Sequence, residues 1–211
     1  MRFHLSYFYF VVLIFFVSNS MCAQTSKEPL KYLALGDSYT IGESVEENER
    51  WPVQLANALN EKGFNISKPK SIAVTGWRTD NLKNGINIAQ LKETYNLVSL
   101  LIGVNNQYQG KPVDQYAIEY EDLLKTAIKL AGGKKENVFV VSIPDYGYTP
   151  FGEPKQKEIS NALDEFNEVN KRITDQYGIA YFNITDISRH GLEDKDLVAT
   201  DGLHPSGKQY R

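Results

Sequence analysis

Three side chains near the two ends of the sequence have the chemistry of a nucleophile and its acid–base partners. Ser38 stands in "LALGDSYTIG" directly after an apolar run, and Asp201 and His204 stand three residues apart in "TDGLHPSGKQY". A serine hydroxyl is a poor nucleophile until a nearby base removes its proton. At this spacing Asp201 can accept a hydrogen bond from one ring nitrogen of His204 and direct the other nitrogen towards Ser38. The remaining histidines are weaker candidates, since His4 lies in the N-terminal apolar segment and His190 lies in the polar loop "SRHGLEDK".

Hydrogen-bond donors for a developing negative charge are also present. The transition state of acyl transfer carries an oxyanion, which needs preorganised donors. The backbone N–H groups of Ser38 and Gly76 and the side-chain amide of Asn105 can provide three. Glycine allows a close approach of the backbone, and an amide donates where a carboxylate cannot. We therefore predict an oxyanion hole formed by Ser38, Gly76 and Asn105.

Each of these residues alone has a simpler explanation. Ser38 alone is a turn or helix-capping serine, and Gly76 and Asn105 alone are turn residues. We assign the neighbouring Asp37 to shaping the serine loop rather than to catalysis. The functional interpretation depends on finding all of these groups at the ends of predicted strands.

Apolar runs typical of strands alternate along the chain with segments of helical periodicity. This alternation predicts βαβ units, a parallel sheet and helices on both of its faces. Ligands bind beyond the carboxyl ends of such strands, so Ser38, Gly76 and Asn105 should converge at one edge of the sheet. The predicted strands are 30–35, 71–74, 97–102, 138–143 and 179–182, and the predicted helices are 51–61, 79–91, 112–131 and 155–177.

The first residues have the pattern of a secretory signal. Arg2 precedes an apolar run over residues 5–17, which is shorter than the ~20 residues of a membrane span, and small and polar residues follow up to Ala23. We predict a signal peptide over residues 1–23, a single domain over 24–211, and a secreted or periplasmic protein with no stable membrane span. An uncleaved N-terminal anchor and a lipid anchor on Cys22 are the alternatives.

Composition limits the partners of the protein. The chain of 211 residues has a net charge of −3 and no basic stripe, which argues against nucleic acid as a partner. Cys22, which precedes the predicted cleavage site, is the single cysteine. The mature chain can therefore form neither a disulfide nor a thiolate metal site.

Four short motifs resemble the conserved blocks of the SGNH (GDSL-motif) hydrolase family. They are "GDSYTIG", a glycine at position 76, "IGVNN" and "DGLHPS", and they span nearly the whole chain after the signal. The resemblance implies a flavodoxin-like three-layer α/β/α sandwich with a parallel sheet of about five strands, and a serine esterase without metal or cofactor. It also implies that Ser38 is the nucleophile, that Gly76 and Asn105 are oxyanion donors, and that Asp201 and His204 are the acid–base pair.

The sequence departs from the family pattern at two places. The third block usually reads Gly-x-Asn-Asp, whereas the last position here is Asn106. Family members also continue into a C-terminal helix, and "SGKQYR" resembles the beginning of that helix. We therefore expect that the sequence lacks the end of this helix.

The substrate and the reaction type stay open at this stage. An acyl ester, a lysophospholipid or an acetylated carbohydrate could be hydrolysed through an acyl-enzyme on Ser38. The same triad could serve an acyltransferase or a carbohydrate deacetylase. A flavodoxin-like protein that binds a phosphate or a flavin in the loop "SYTIGES" is a non-enzymatic alternative, but it leaves Asp201 and His204 without a role.

Two loops have more than one interpretation. The loop 144–154, with Tyr146, Tyr148 and Phe151, is either part of the substrate pocket or a surface loop with aromatic residues packed beneath it. The acidic stretch 43–49 is either a solvated loop or a flap over the site.

Overall fold

The computed structural model describes residues 28–211, and the predicted signal peptide over residues 1–23 lies outside them. The strands are β1 (Tyr32–Gly36), β2 (Lys70–Ala73), β3 (Leu97–Leu101), β4 (Val138–Val141) and β5 (Ala180–Phe182). The α-helices are α1 (Ser38–Ile41), α2 (Trp51–Glu61), α3 (Thr79–Ala89), α4 (Val104–Tyr108), α5 (Val113–Leu130), α6 (Gln156–Gln176) and α7 (Thr185–Ser188). Short 3-10 helices cover Glu47–Glu49, Lys135–Asn137, Tyr146–Tyr148, Glu153–Lys155 and Lys195–Leu197.

The five strands form one parallel sheet in the order β2-β1-β3-β4-β5. This confirms the predicted α/β architecture with about five parallel strands. The chain leaves β1 towards β2 on one side and returns to place β3 on the other side of β1. The connections after β1 and β3 therefore diverge, and a crevice opens beyond the carboxyl ends of these two strands. Gly36 at the end of β1 is paired with Leu101 at the end of β3.

Alternate residues of the strands pack on opposite faces of the sheet, as the period of a strand requires. In β1, Leu33 and Leu35 face the larger core, which is formed with α3, α5 and α6. Tyr32 and Ala34 point to the other face, where they pack with residues of α2. The central strand β3 is buried over four of its five residues, in agreement with a sequence that is apolar apart from Ser99.

Most predicted elements are present, with shifted ends. The helix predicted over 51–61 has the same bounds as α2. The first strand was expected from residue 30 but begins at Tyr32, because Leu30 forms an isolated bridge with Ile66 instead. The second strand ends at Ala73 rather than at the exposed Val74.

The face of the sheet that carries α2 is only partly covered. An apolar groove of about 810 Å³ lies beside α2, and Leu101, Phe139 and Phe182 are among the residues that line it. Ser38, Asn105 and His204 do not line it. Among residues 28–211, no helix is long and apolar enough to cross a membrane.

Candidate active site

Ser38 is the first residue of the short helix α1, directly beyond the end of β1. Asp37 caps this helix, since its Oδ1 accepts the backbone N–H of Tyr39 over 3.1 Å. The preceding Gly36 allows the tight exit, because a Cβ there would overlap the carbonyl oxygen of Leu101 and the side chain of Thr40. Ser38 itself is only 4% exposed. The helix start therefore holds the serine at the edge of the sheet in a mostly enclosed position.

Asp201 and His204 form a direct pair in the C-terminal turn. Nδ1 of His204 lies 2.6 Å from Oδ2 of Asp201, and Oδ1 of Asp201 accepts the backbone N–H groups of Leu203 and His204. Partial burial raises the pKa of the Asp201 carboxyl, but hydrogen bonds from Ser44, His204 and Leu203 outweigh it and hold this pKa well below its usual value. Asp201 is therefore ionised at neutral pH and can orient the imidazole.

The structure brings the histidine turn against the helix that begins at Ser38. The ring of His204 packs edge-on against the ring of Tyr39, with 5.6 Å between the centroids. Within the described residues, the hydroxyl of Ser38 and the ring of His204 make no hydrogen bond with each other. Hydrogen bonds between a catalytic nucleophile and its base are often long in the free enzyme and tighten when substrate binds.

The segments of Gly76 and Asn105 are joined by a hydrogen bond. Gly76 lies in a turn with φ +82°, and no atom beyond its two chain neighbours lies within 4 Å of the position that a Cβ would occupy, so the space on that side of its Cα is open. Asn105 lies in the first turn of α4, and its Nδ2 donates to the carbonyl of Trp77 over 3.0 Å. A side-chain amide has two N–H groups, so one remains for another acceptor.

Asn106, which stands where the family pattern has an aspartate, is buried and hydrogen-bonded to Thr79. Its Oδ1 accepts the backbone N–H of Thr79 over 3.1 Å, and its Nδ2 donates to the hydroxyl of Thr79 over 2.7 Å. That hydroxyl in turn donates to the carboxylate of Glu119. A carboxylate at position 106 could not donate to the hydroxyl, so the amide completes this buried network and links α4 to α3.

Two of the three predicted pocket residues, Tyr146 and Phe151, lie in one aromatic cluster, and Tyr148 lies outside it. The rings of Tyr146 and Phe151 pack on each other and on Tyr108, with centroids 6.2 to 6.3 Å apart. Tyr108 follows Asn105 by one helical turn in α4, and the backbone N–H of Phe151 donates to the carbonyl of Gly202 over 3.0 Å. The aromatic cluster Tyr108–Tyr146–Phe151 therefore spans the distance between the Asn105 helix and the Asp201 turn. Tyr148 has no ring contact with these three residues.

Sequence reasoning missed two residues near this site and set one aside. Tyr108 follows the third motif but carries no signal in an isolated sequence. Ser44 lies in the acidic stretch 43–49, and only the tertiary structure shows that its hydroxyl donates to Asp201 over 2.7 Å. His190 is exposed and pairs with Glu193, which is consistent with its being a weaker candidate than His204 for the base that activates Ser38.

We expect Asp37 to make the stability of the fold depend on pH. Burial raises the pKa of its carboxyl to about 7 and outweighs the backbone hydrogen bond from Tyr39, which lowers this pKa. Among the described residues, the Oδ2 atom of Asp37 has no hydrogen-bond partner. In an unfolded chain the pKa is about 3.9. Between these values the folded state binds one proton more than the unfolded state. The free energy of unfolding should therefore fall as the pH rises through this range, by up to ~1.4 kcal/mol per pH unit.

The variant Asp37→Asn should remove this part of the pH dependence, because an amide does not titrate. Urea unfolding followed by circular dichroism from pH 4 to pH 7.5 measures the slope in both proteins. Asp114→Asn, at an exposed aspartate of α5, is the control and should keep the wild-type slope. An equal slope in Asp37→Asn and the wild type would contradict the prediction.

The sheet order, the helices on both faces and the polar groups at the sheet edge define an α/β protein of the SGNH hydrolase fold. The profile of the GDSL-like Lipase/Acylhydrolase family matches residues 34–211. The chain therefore belongs to this family, and it is a serine hydrolase that acts on ester bonds. No curated protein matches the sequence.

The fold is similar to those of several solved esterases. The acetyl xylan esterase AlAXEase has 15% identity and a TM-score of 0.69, over 86% of this chain and 94% of that protein. Axe2, an acetylxylan esterase from Geobacillus stearothermophilus, has 18% identity and a TM-score of 0.65, over 86% and 89%. The psychrotrophic esterase EstA from Pseudoalteromonas sp. has 17% identity and a TM-score of 0.64, over 85% and 90%.

Proposed function

We propose that the protein is a secreted esterase that cleaves carboxylic esters through an acyl-enzyme on Ser38. The observation that carries this proposal is the 2.6 Å contact between His204 and Asp201 in a turn that packs against the helix beginning at Ser38. The Asp201 carboxylate accepts a hydrogen bond from Nδ1–H of His204, which leaves Nε2 as the base for the serine hydroxyl. Such an arrangement activates a hydroxyl that is otherwise a weak nucleophile.

The reaction follows from the roles of these groups. Nε2 of His204 takes the Ser38 proton as Oγ bonds to the ester carbonyl carbon, and the carbonyl oxygen becomes an oxyanion. The N–H groups of Ser38 and Gly76 and the free amide hydrogen of Asn105 stabilise this charge. The imidazolium then protonates the alcohol as the ester C–O bond breaks. Water, deprotonated by His204, attacks the acyl-enzyme, and release of the acid returns the proton to Ser38.

Labelling with a fluorophosphonate tests the assignment of Ser38. The proposal expects one phosphonyl group on Ser38, located by peptide mass spectrometry, and parallel loss of p-nitrophenyl acetate hydrolysis. Unlabelled, yellow protein with flavin absorbance would favour the flavodoxin-like alternative instead.

Secretion is supported by the sequence pattern of residues 1–23. N-terminal sequencing of the protein from the culture medium tests it, and we expect the mature protein to start near Gln24.

A narrower proposal is that the substrate is an acetylated carbohydrate. In the aromatic cluster, Tyr108 is 58% exposed and Phe151 is 50% exposed, whereas Tyr146 is buried beside them and donates to Gln107 over 2.9 Å. Exposed rings beside polar amide groups suit the apolar ring face and the hydroxyl groups of a sugar. Two proteins of similar fold, AlAXEase and Axe2, are described as acetylxylan esterases, which supports the same substrate class.

Replacing Phe151 with alanine should lower the preference for a sugar ester. We compare kcat/KM for acetylated xylo-oligosaccharides with kcat/KM for p-nitrophenyl acetate. The ratio of the first to the second should fall by about three- to tenfold, which is the effect expected from the loss of one ring contact with the sugar. The backbone hydrogen bond of residue 151 to Gly202 is retained in this variant. The ratio is obtained from acetate release and from p-nitrophenol absorbance.

Phe64→Ala is the matched control, since Phe64 is also about half exposed, at 52%, and does not belong to the aromatic cluster. Its ratio should equal that of the wild type. An equal fall in both variants would contradict the carbohydrate proposal. Preference of the wild type for long-chain p-nitrophenyl esters or lysophospholipid over every acetylated sugar would contradict it as well.

A further inference from the structure

Ser44 makes a hydrogen bond to the aspartate of the predicted triad from a distant part of the chain. Its hydroxyl donates to Oδ2 of Asp201 over 2.7 Å, and the same oxygen lies 2.6 Å from Nδ1 of His204. The other oxygen, Oδ1, accepts the backbone N–H groups of Leu203 and His204. Among the described residues, Ser44 thus gives this carboxylate its one hydrogen bond from outside the turn 201–204.

The backbone of Ser44 lies in the left-handed region, with φ +64°. In the part of the chain that the structure describes, Gln90 is the only other non-glycine residue with positive φ. Residues with a Cβ rarely adopt this conformation because the Cβ crowds the backbone. Such unfavourable backbone conformations persist where the surrounding structure holds them, and they concentrate at functional sites.

The neighbouring Glu43 joins the same loop to two other segments of the site. Its backbone N–H donates to the carbonyl of Ser38 over 3.0 Å. Its carboxylate accepts a hydrogen bond from the hydroxyl of Thr75, the residue before Gly76. Residues 43 and 44 therefore contact the serine, glycine and aspartate segments together, which fixes the position from which the Ser44 hydroxyl reaches Asp201.

This inference rests on the function proposed above. We propose that Ser44 is a positioning residue, which holds the carboxylate of Asp201 in the orientation that accepts a hydrogen bond from Nδ1–H of His204. The orientation of the imidazole decides whether Nε2 can take the serine proton. Asp201 is partly exposed, and the backbone N–H groups of Leu203 and His204 hold only its Oδ1. Without the Ser44 hydroxyl, Oδ2 can therefore tilt away from Nδ1 of His204 towards solvent. Fewer molecules then have an aligned base, and the chemical step slows while substrate binding is little changed.

Ser44→Ala and Ser44→Gly test this role, because both remove the hydroxyl and only glycine also relieves the left-handed backbone. We expect kcat for p-nitrophenyl acetate to fall about tenfold in both variants, with KM within about twofold of the wild type. The midpoint of thermal unfolding of Ser44→Gly should equal or exceed that of the wild type. Asparagine tolerates the left-handed region and can donate from its amide, so Ser44→Asn should recover part of the lost rate.

Two further variants separate positioning from a structural effect. Gln90→Gly relieves the same backbone conformation at the end of α3 and should keep the wild-type kcat. In an Asp201→Ala background, Ser44→Gly should cause no additional loss, because the two residues act through one contact. Wild-type kcat in Ser44→Gly, or an equal loss with and without Asp201, would overturn this inference. A fully active Ser38→Ala would instead overturn the proposed function, so the two failures are distinguishable.

Discussion

Replacing Ser38 with alanine is expected to lower kcat for p-nitrophenyl acetate by 10³- to 10⁶-fold, on the order found for serine triads. The variant lacks the oxygen that forms the acyl-enzyme, so only the oxyanion donors and substrate binding remain to accelerate attack by water. Removal of the hydroxyl leaves no polar group of the described residues without its partner, so we expect the shape of the site to be kept and KM to change little. Steady-state kinetics with purified protein, supported by fluorophosphonate labelling, measures the effect.

Ser160→Ala is a suitable control for this variant. The Ser160 hydroxyl of α6 is also buried and without a hydrogen-bond partner among the described residues, so its removal makes a comparable change in packing. Both variants should show the circular dichroism spectrum of the wild type, and Ser160→Ala should keep its activity. Turnover by Ser38→Ala within tenfold of the wild type would remove the basis for an acyl-enzyme on Ser38.

Replacing His204 with glutamine is expected to lower kcat by a similar factor, about 10³- to 10⁶-fold. Glutamine fills part of the same space and can donate to Asp201, but it cannot take a proton from the serine hydroxyl. Because Ser38 and His204 act on the same step, the double variant with Ser38→Ala should be about as inactive as either single variant. The measurement is the kcat of the three proteins with the same ester.

The same substitution at His190 provides the matched control. His190 is exposed and pairs with Glu193, outside the contacts of the predicted triad. His190→Gln should therefore keep the wild-type kcat and the wild-type unfolding midpoint. An equal loss of activity in His204→Gln and His190→Gln, or no loss in either variant, would show that His204 is not the base.

The arrangement of strands and helices was predictable because local patterns encode it. The apolar run at 97–102 indicated a strand buried on both faces, and β3 is buried in this way. The stripe of apolar residues over 51–61 gave the bounds of α2, since Pro52 suits the first turn of a helix. The short helices α1 and α4 were not predicted, because four or five residues contain too little of a helical period to be recognised.

Contacts between distant parts of the chain were much less predictable. The link from Asn106 to Thr79 and the bond from Ser44 to Asp201 join residues 27 and 157 positions apart. Each depends on the placement of whole elements, and no local pattern carries that information. The aromatic cluster is a similar case, since Tyr108 meets Phe151 only because α4 and the loop after β4 reach the same end of the sheet.

The sequence by itself determined the alternation of strands and helices, the family and the residue types available for acyl transfer, because periodicity and short motifs are local properties. The tertiary structure alone decided which side chains surround Asp201, how Asn106 satisfies a buried hydroxyl and where exposed rings flank the site. These features arise where the connections after β1 and β3 diverge, and distances between loops at that edge depend on the packing of every layer beneath them.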